Sequence, residues 1–304
     1  MPARSRGTAL AVLCAATLMI ILDGTIVTVA LPSIQRSLQF SATSLTWVVN
    51  AYMIAFGSLL LLAGRLGDLV GRKQMLLSGL ALFTLASLLC AAATSPAELI
   101  AARFVQGAGG AMVSAVALGM IVALYPEPAA QARALAVFSF VGAAGAALGL
   151  LAGGVLTQLL NWHWIFLVNL PIGLLTGAAA VRVLESRPGL GVRAGADALG
   201  AVLVTAGLML GIYAVVAKPW AGLGAALLLA AFVLRQARAA VPLVRLRIFA
   251  SRNVSGVFAT QLLVIAAAWG FQILITMSMQ RVLGYGAATT GLAFAPTAVV
   301  IGAV

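Results

Sequence analysis

The stretch ILDGTIVTVALP, Ile21 to Pro32, decides how this chain is read. It places one carboxylate, Asp23, inside an apolar run, in a sequence of 304 residues with six acids in all. The surroundings explain why the run is long. The chain is 63% hydrophobic and 8% charged, with a mean hydropathy of +1.14. Soluble domains sit near 45–50% apolar and about 25% charged. So little polar surface cannot cover a water-facing fold, and the solvent this composition fits is lipid.

A spanning helix needs about 20 apolar residues. Ten segments qualify: 8–31, 45–64, 74–93, 97–124, 134–160, 165–184, 198–217, 219–235, 254–279 and 287–304. Their length and continuity predict an all-α integral membrane protein, since barrel strands would be about ten residues of alternating polarity. MPARSR before the first run resembles a signal peptide. The run is too long for one and carries no small-residue cleavage site, so a retained helix is expected. Cys14 and Cys90 both lie in apolar runs and read as packing residues.

The net charge of +12 does not point to nucleic acid, because the basic residues form no solvated face. They follow the membrane instead. With a cytoplasmic N-terminus, fourteen of the eighteen basic residues fall on inside segments. Three, Arg36, Lys218 and Arg281, fall outside, and Arg103 falls within a span. This asymmetry predicts both the orientation and the span count. PLVRLRIF, Pro242 to Phe249, is basic and amphipathic and is expected along the inner surface.

Two charges stand well inside predicted spans, Asp23 in the first and Arg103 in the fourth. Each costs about 2.5–3.5 kcal/mol at mid-membrane. Measured from the predicted helix ends, Asp23 lies about 12 Å deep and Arg103 about 8 Å. One outer layer would hold both and let them pair. A static ion pair joining two helices is one reading. The other is a protonatable site on a cavity, with Arg103 tuning Asp23.

Four ordered motifs then resemble the major facilitator superfamily, in its fourteen-helix drug:proton antiporter branch. GRLGDLVGRK, Gly64 to Lys73, resembles its loop between the second and third spans. RFVQGAGGA, Arg103 to Ala111, resembles its fourth-helix motif, with Gln106, Gly107 and Gly110. LDGTIVTVALP resembles the branch's first-helix signature, and NWHWIFLVNLPIG, Asn161 to Gly173, its entry into the sixth helix. The glycine face Gly145, Gly149, Gly153 and Gly154 is similar to the antiporter motif of the fifth helix, and small residues there permit close packing.

The resemblance implies a six-helix bundle over 1–184, two inserted helices over 185–236, and an interfacial segment with the first two helices of a second bundle over 237–304. It implies proton-coupled export of a small apolar or cationic organic compound, with Asp23 and Arg103 in proton coupling. It further implies a conformational gate built from Gly64, Gly67, Asp68, Gly71, Arg72 and Lys73. On residue chemistry, Asp68 is expected near the N-terminus of the third helix, where negative charge is favoured. The proton gradient would supply the energy, with no cofactor and no metal; no GxxxxGK[ST] loop indicates ATP drive.

The sequence departs from the family at Leu69, Thr28, His163 and Leu150, the last standing where a kinking Pro is usual. His163 reads as a solvated outer-loop residue. Ending inside a tenth helix, the sequence reads as C-terminally truncated, which by itself would be transport-incompetent. A facilitator or symporter for a polar metabolite remains the alternative. A membrane enzyme is disfavoured, because the one His is far in sequence from any acid. The expected location is the bacterial cytoplasmic (inner) membrane, with oligomeric state open.

Overall fold

A computed structural model describes residues 3–186, 188–191, 197–244, 246–285, 289, 293 and 296. All regular structure among them is helical. The helices are α1 (Ala3–Leu38), α2 (Ala42–Leu45), α3 (Trp47–Val70), α4 (Arg72–Ala92), α5 (Pro96–Leu124), α6 (Pro128–Leu159), α7 (Trp164–Leu167), α8 (Asn169–Val183), α9 (Ala198–Val216), α10 (Ala221–Arg238) and α11 (Arg252–Arg281). A short 3-10 turn, Leu246–Ala250, precedes α11.

Eight helices among the described residues are long and apolar enough to cross a membrane. They coincide with the first eight predicted spans. The ninth span lies in α11, whose apolar stretch Arg252–Ala268 is shorter, and the tenth falls almost wholly outside the described residues.

Several helix ends differ from expectation. α1 does not stop at Leu31 but continues through Pro32 to Leu38. Proline lacks an N–H and crowds the carbonyl four residues back, yet the helix continues, and in the turn beyond Arg36 Nε donates to the Pro32 carbonyl at 3.3 Å. Asp23 therefore lies mid-helix, and α1 runs seven residues past the end expected at Leu31. α3 likewise runs on through most of GRLGDLVGRK, and only Gly71 breaks it, with φ of 106°. That value lies in the region that favours glycine. Asp68 thus sits in the last turn of α3, not at the start of the next helix. α6 is continuous through Leu150.

α5 packs between α3 and α4, α1 lies against α6, and α8 closes on α4 and α1. α9 and α10 pair with each other and reach the bundle through α3. Two apolar clusters fill the bundle. One gathers Leu13, Met19, Leu76, Phe83, Val113 and Ile121; the other gathers Ile26, Ile34, Cys90, Leu99, Ile165 and Phe166. Ser87 on α4 and Arg103 with Gln106 on α5 fall between the members that their helix gives to the two clusters, and Asp23 on α1 lies just past the changeover from Ile20 to Leu22.

Candidate functional site

Between these clusters lies a closed polar layer. Arg103 NH1 donates to Asp23 Oδ2 at 2.5 Å and to Gln106 Oε1 at 2.6 Å. Gln106 Nε2 donates to Asp23 Oδ1 at 2.7 Å and to Ser87 Oγ at 2.7 Å. Asn169 Nδ2, at the first residue of α8, donates to Asp23 Oδ1 at 2.9 Å and to Ser87 Oγ at 3.3 Å. Arg103 Nε reaches the Val48 carbonyl at 3.1 Å, and its guanidinium lies 4.3 Å from the Tyr52 ring centroid. The Cys90 thiol donates to Gln106 Oε1 at 3.6 Å.

Five helices converge here: α1, α3, α4, α5 and α8. Arg103 and Gln106 are one helical turn apart on α5 and face the same side. Gly107 and Gly110 let α3 approach that face. A Cβ on Gly107 would strike the Tyr52 carbonyl, and one on Gly110 would lie 3.0 Å from Tyr52 Oη.

Asp23 is 0% and Arg103 1% exposed. The sequence reading placed Asp23 on a cavity; the structure seals it instead. Three donors on one carboxylate, one of them the Arg103 guanidinium, compensate the charges within the protein, which is what makes full burial possible. Asp23 lines neither of two cavities that open among the described residues. One, of about 1040 Å³, is an apolar crevice between α3, α5, α9 and α10. Within the polar layer Asn169 Oδ1 and Tyr52 Oη have no partner among the described residues.

The GRLGDLVGRK residues assemble around the α3–α4 turn. Arg72 pairs with Asp68 Oδ1 at 3.2 Å, four residues back. At a helix C-terminus the Asp68 carboxylate opposes the dipole, and this ion pair offsets that. Arg72 NH1 also donates to the Gly119 carbonyl at 3.0 Å. Lys73 Nζ donates to the Val181 and Leu184 carbonyls at 2.8 and 2.6 Å, at the end of α8. Gly67 and Gly71 line the other cavity, of about 470 Å³, whereas the nearest side chain to a Cβ on Gly64 would be 4.0 Å away, at Ala115.

The fifth-span glycines pack on the turn of α1 that carries Asp23. A Cβ on Gly149 would overlap Thr25 and lie 2.9 Å from the Leu22 carbonyl; one on Gly153 would lie 2.8 Å from the Ile26 carbonyl. Gly145 faces Leu18, and Gly154 is buried.

His163 is not a free surface residue. It is half-buried, its Nδ1 lies 2.7 Å from the Ala91 carbonyl, and its ring stacks on Trp162 at 3.8 Å. The carbonyls at the end of α4 need partners, and the imidazole supplies one.

A second buried carboxylate went unnoticed in the sequence. Asp197 caps α9 through the Gly200 N–H at 3.0 Å. It also accepts from Arg235 Nε at 2.9 Å and Gln236 Nε2 at 2.7 Å, at the end of α10. Burial pushes its pKa up. The hydrogen bonds from Gly200, Arg235 and Gln236 outweigh that and hold the carboxyl below its ordinary range.

This arrangement, a multi-pass bundle of apolar helices around a sealed charge pair, is that of an integral membrane protein. The chain belongs to the Major Facilitator Superfamily, which it matches over residues 13–304. It is 44% identical to the cephamycin export protein CmcT of Amycolatopsis lactamdurans, over 97% of this chain and 63% of that protein. It is 40% identical to the puromycin resistance protein pur8 of Streptomyces alboniger, over 94% of this chain and 59% of that protein. The chain therefore spans about 60% of the length of these relatives. Its fold resembles the proton:xylose symporter XylE, with a TM-score of 0.66 at 14% identity, covering 99% of this chain and 67% of XylE.

Proposed function

We propose that the chain is part of a proton-coupled exporter of small apolar or cationic organic compounds, of the fourteen-helix antiporter branch, in the bacterial cytoplasmic membrane with its N-terminus inside. The observation that carries this reading is the Asp23–Arg103 pair closed by Gln106 and Asn169. Ionisable residues inside membrane spans are costly, and where they occur they commonly mark a substrate or proton pathway. Protonation of Asp23 cancels the carboxylate and weakens three hydrogen bonds at the junction of α1, α5 and α8. Arg103 would keep the Val48 carbonyl, Gln106 Oε1 and the Tyr52 ring as partners. A proton arriving at Asp23 would thus loosen the junction without stranding the arginine.

The names of the similar proteins, a cephamycin exporter and a puromycin resistance protein, support an antibiotic-like cargo. The sparse polarity of the spans agrees with that. In this reading residues 1–184 form the first bundle, 185–236 the inserted pair, and 237–304 the start of the second bundle; residues 64–73 act as the gate, and the proton gradient drives export.

The test is proton-gradient-driven accumulation of puromycin and of a cephamycin in inverted vesicles from cells expressing the protein at its natural length. Accumulation that collapses with an uncoupler, and with Asp23→Asn, supports the reading. Accumulation indifferent to both sinks it.

A further inference from the structure

The cavity of about 470 Å³ beside the α3–α4 turn is lined on one side by Pro188, Gly189 and Leu190, just past the end of α8. Two main-chain hydrogen bonds fasten this segment. The Leu190 N–H donates to the Asp68 carbonyl at 2.9 Å, and the Gly191 N–H donates to the Leu69 carbonyl at 3.0 Å. Both carbonyls belong to the last turn of α3, where a helix lacks internal donors.

The reverse crossing is present too. Lys73, in the first turn of α4, donates to the carbonyls of Val181 and Leu184 at the end of α8. Each helix end is therefore capped by chain that follows the other. Gly189 makes the close approach possible. A Cβ there would collide with the Leu69 carbonyl and lie 2.7 Å from the Gly71 nitrogen. Those are backbone atoms, which cannot swing aside as a side chain can.

We propose that residues 188–191 form a strap that positions the α3–α4 loop, with Gly189 as its positioning residue; this rests on the reading of that loop as the gate. The loop is then tied at three places: to α5 through Arg72, to α8 through Lys73, and to the strap through its own carbonyls. The strap lies on the path from α8 to the α9–α10 pair. Movement of the gate is thereby linked mechanically to that path, and the link is made by main chain, independent of side-chain charge.

The experiment uses the protein at its natural length, purified into nanodiscs, with Leu184→Cys as a reporter. Leu184 lines the cavity and is buried, and its carbonyl contact with Lys73 is main-chain and survives the change; Cys14 and Cys90 are buried and give little background. The reaction rate with a hydrophilic maleimide is measured. Gly189→Ala lifts the strap and is expected to raise the rate about tenfold, in keeping with two lost hydrogen bonds. Leu190→Pro removes one of the two donors while leaving Gly189 in place, and also raises the rate. Gly177→Ala, where an added Cβ has no neighbour within 4 Å, keeps the parent rate. Parent rates in both strap variants overturn the proposal. The gate reading is tested apart, by transport of Asp68→Asn. Normal transport there removes the gate but leaves an accelerated maleimide reaction as evidence for the strap. Lost transport with unaltered maleimide rates overturns the strap alone.

Discussion

Asn169 Nδ2 lies 2.9 Å from Asp23 Oδ1, although 146 positions separate the two residues. This one bond joins the first residue of α8 to the middle of α1 and makes the sixth predicted span part of the charge site. Asn169→Ala removes one of three donors to the carboxylate. It is expected to lower stability by about 1–3 kcal/mol, the cost of leaving a buried acceptor short. Thermal unfolding of the purified protein checks this, and an unchanged midpoint would show that Asn169 is a bystander.

The charge pair itself is open to a double-mutant cycle. Arg103→Leu strands the Asp23 carboxylate and is expected to cost about 3–5 kcal/mol, whereas Asp23→Asn leaves the arginine its Val48, Gln106 and Tyr52 partners and is expected to cost less. Together they are expected to cost clearly less than the sum, because neither charge is left alone. Strict additivity in unfolding free energy would mean that the pair does not interact as its geometry indicates.

Much of this was legible in the sequence. Asp23 and Arg103 announce themselves because a charge in an apolar run has few explanations, and the same-layer argument led to their pairing. The first eight spans follow from hydropathy alone. Ser87, Cys90, Tyr52 and Asn169 were not found, since neutral polar residues are common in membrane helices and signal weakly. The Asn in NWHWIFLVNLPIG was the available clue. Helix ends were misread at Pro32 and through residues 64–70, where tertiary contacts extend helices beyond their apolar cores. The strap escaped notice because its bonds are main-chain, and Gly189 is its only trace in the sequence.

α6 and α1 meet through glycine, which sets the third expectation. Gly149→Val places atoms into Thr25 and against the Leu22 carbonyl and should force the helices apart. Overpacking of this kind typically costs about 1–3 kcal/mol. Gly57→Val on α3, where nothing lies within 4 Å, is the matched control. Equal thermal midpoints for the two variants would contradict the packing described.

Asp197 gives a pH dependence with a definite sign. Its folded pKa is held below the unfolded value near 3.8. Its contribution to stability is therefore full above about pH 4 and is lost as pH falls through the folded pKa. The gap in unfolding midpoint between the parent protein and Asp197→Asn should be constant from pH 7 to 5 and close at lower pH. A gap that persists unchanged into strong acid would exclude the capping role of the carboxylate.

Proton-coupled export requires the sealed carboxylate to exchange a proton as cargo is handled. The change in bound protons on binding of puromycin to the purified protein at natural length, read with a pH-sensitive dye in weak buffer, tests this most directly. Uptake or release is expected from the parent protein and none from Asp23→Asn, with puromycin binding retained in both. An equal change in the two proteins would contradict the coupling and assign the proton to another group.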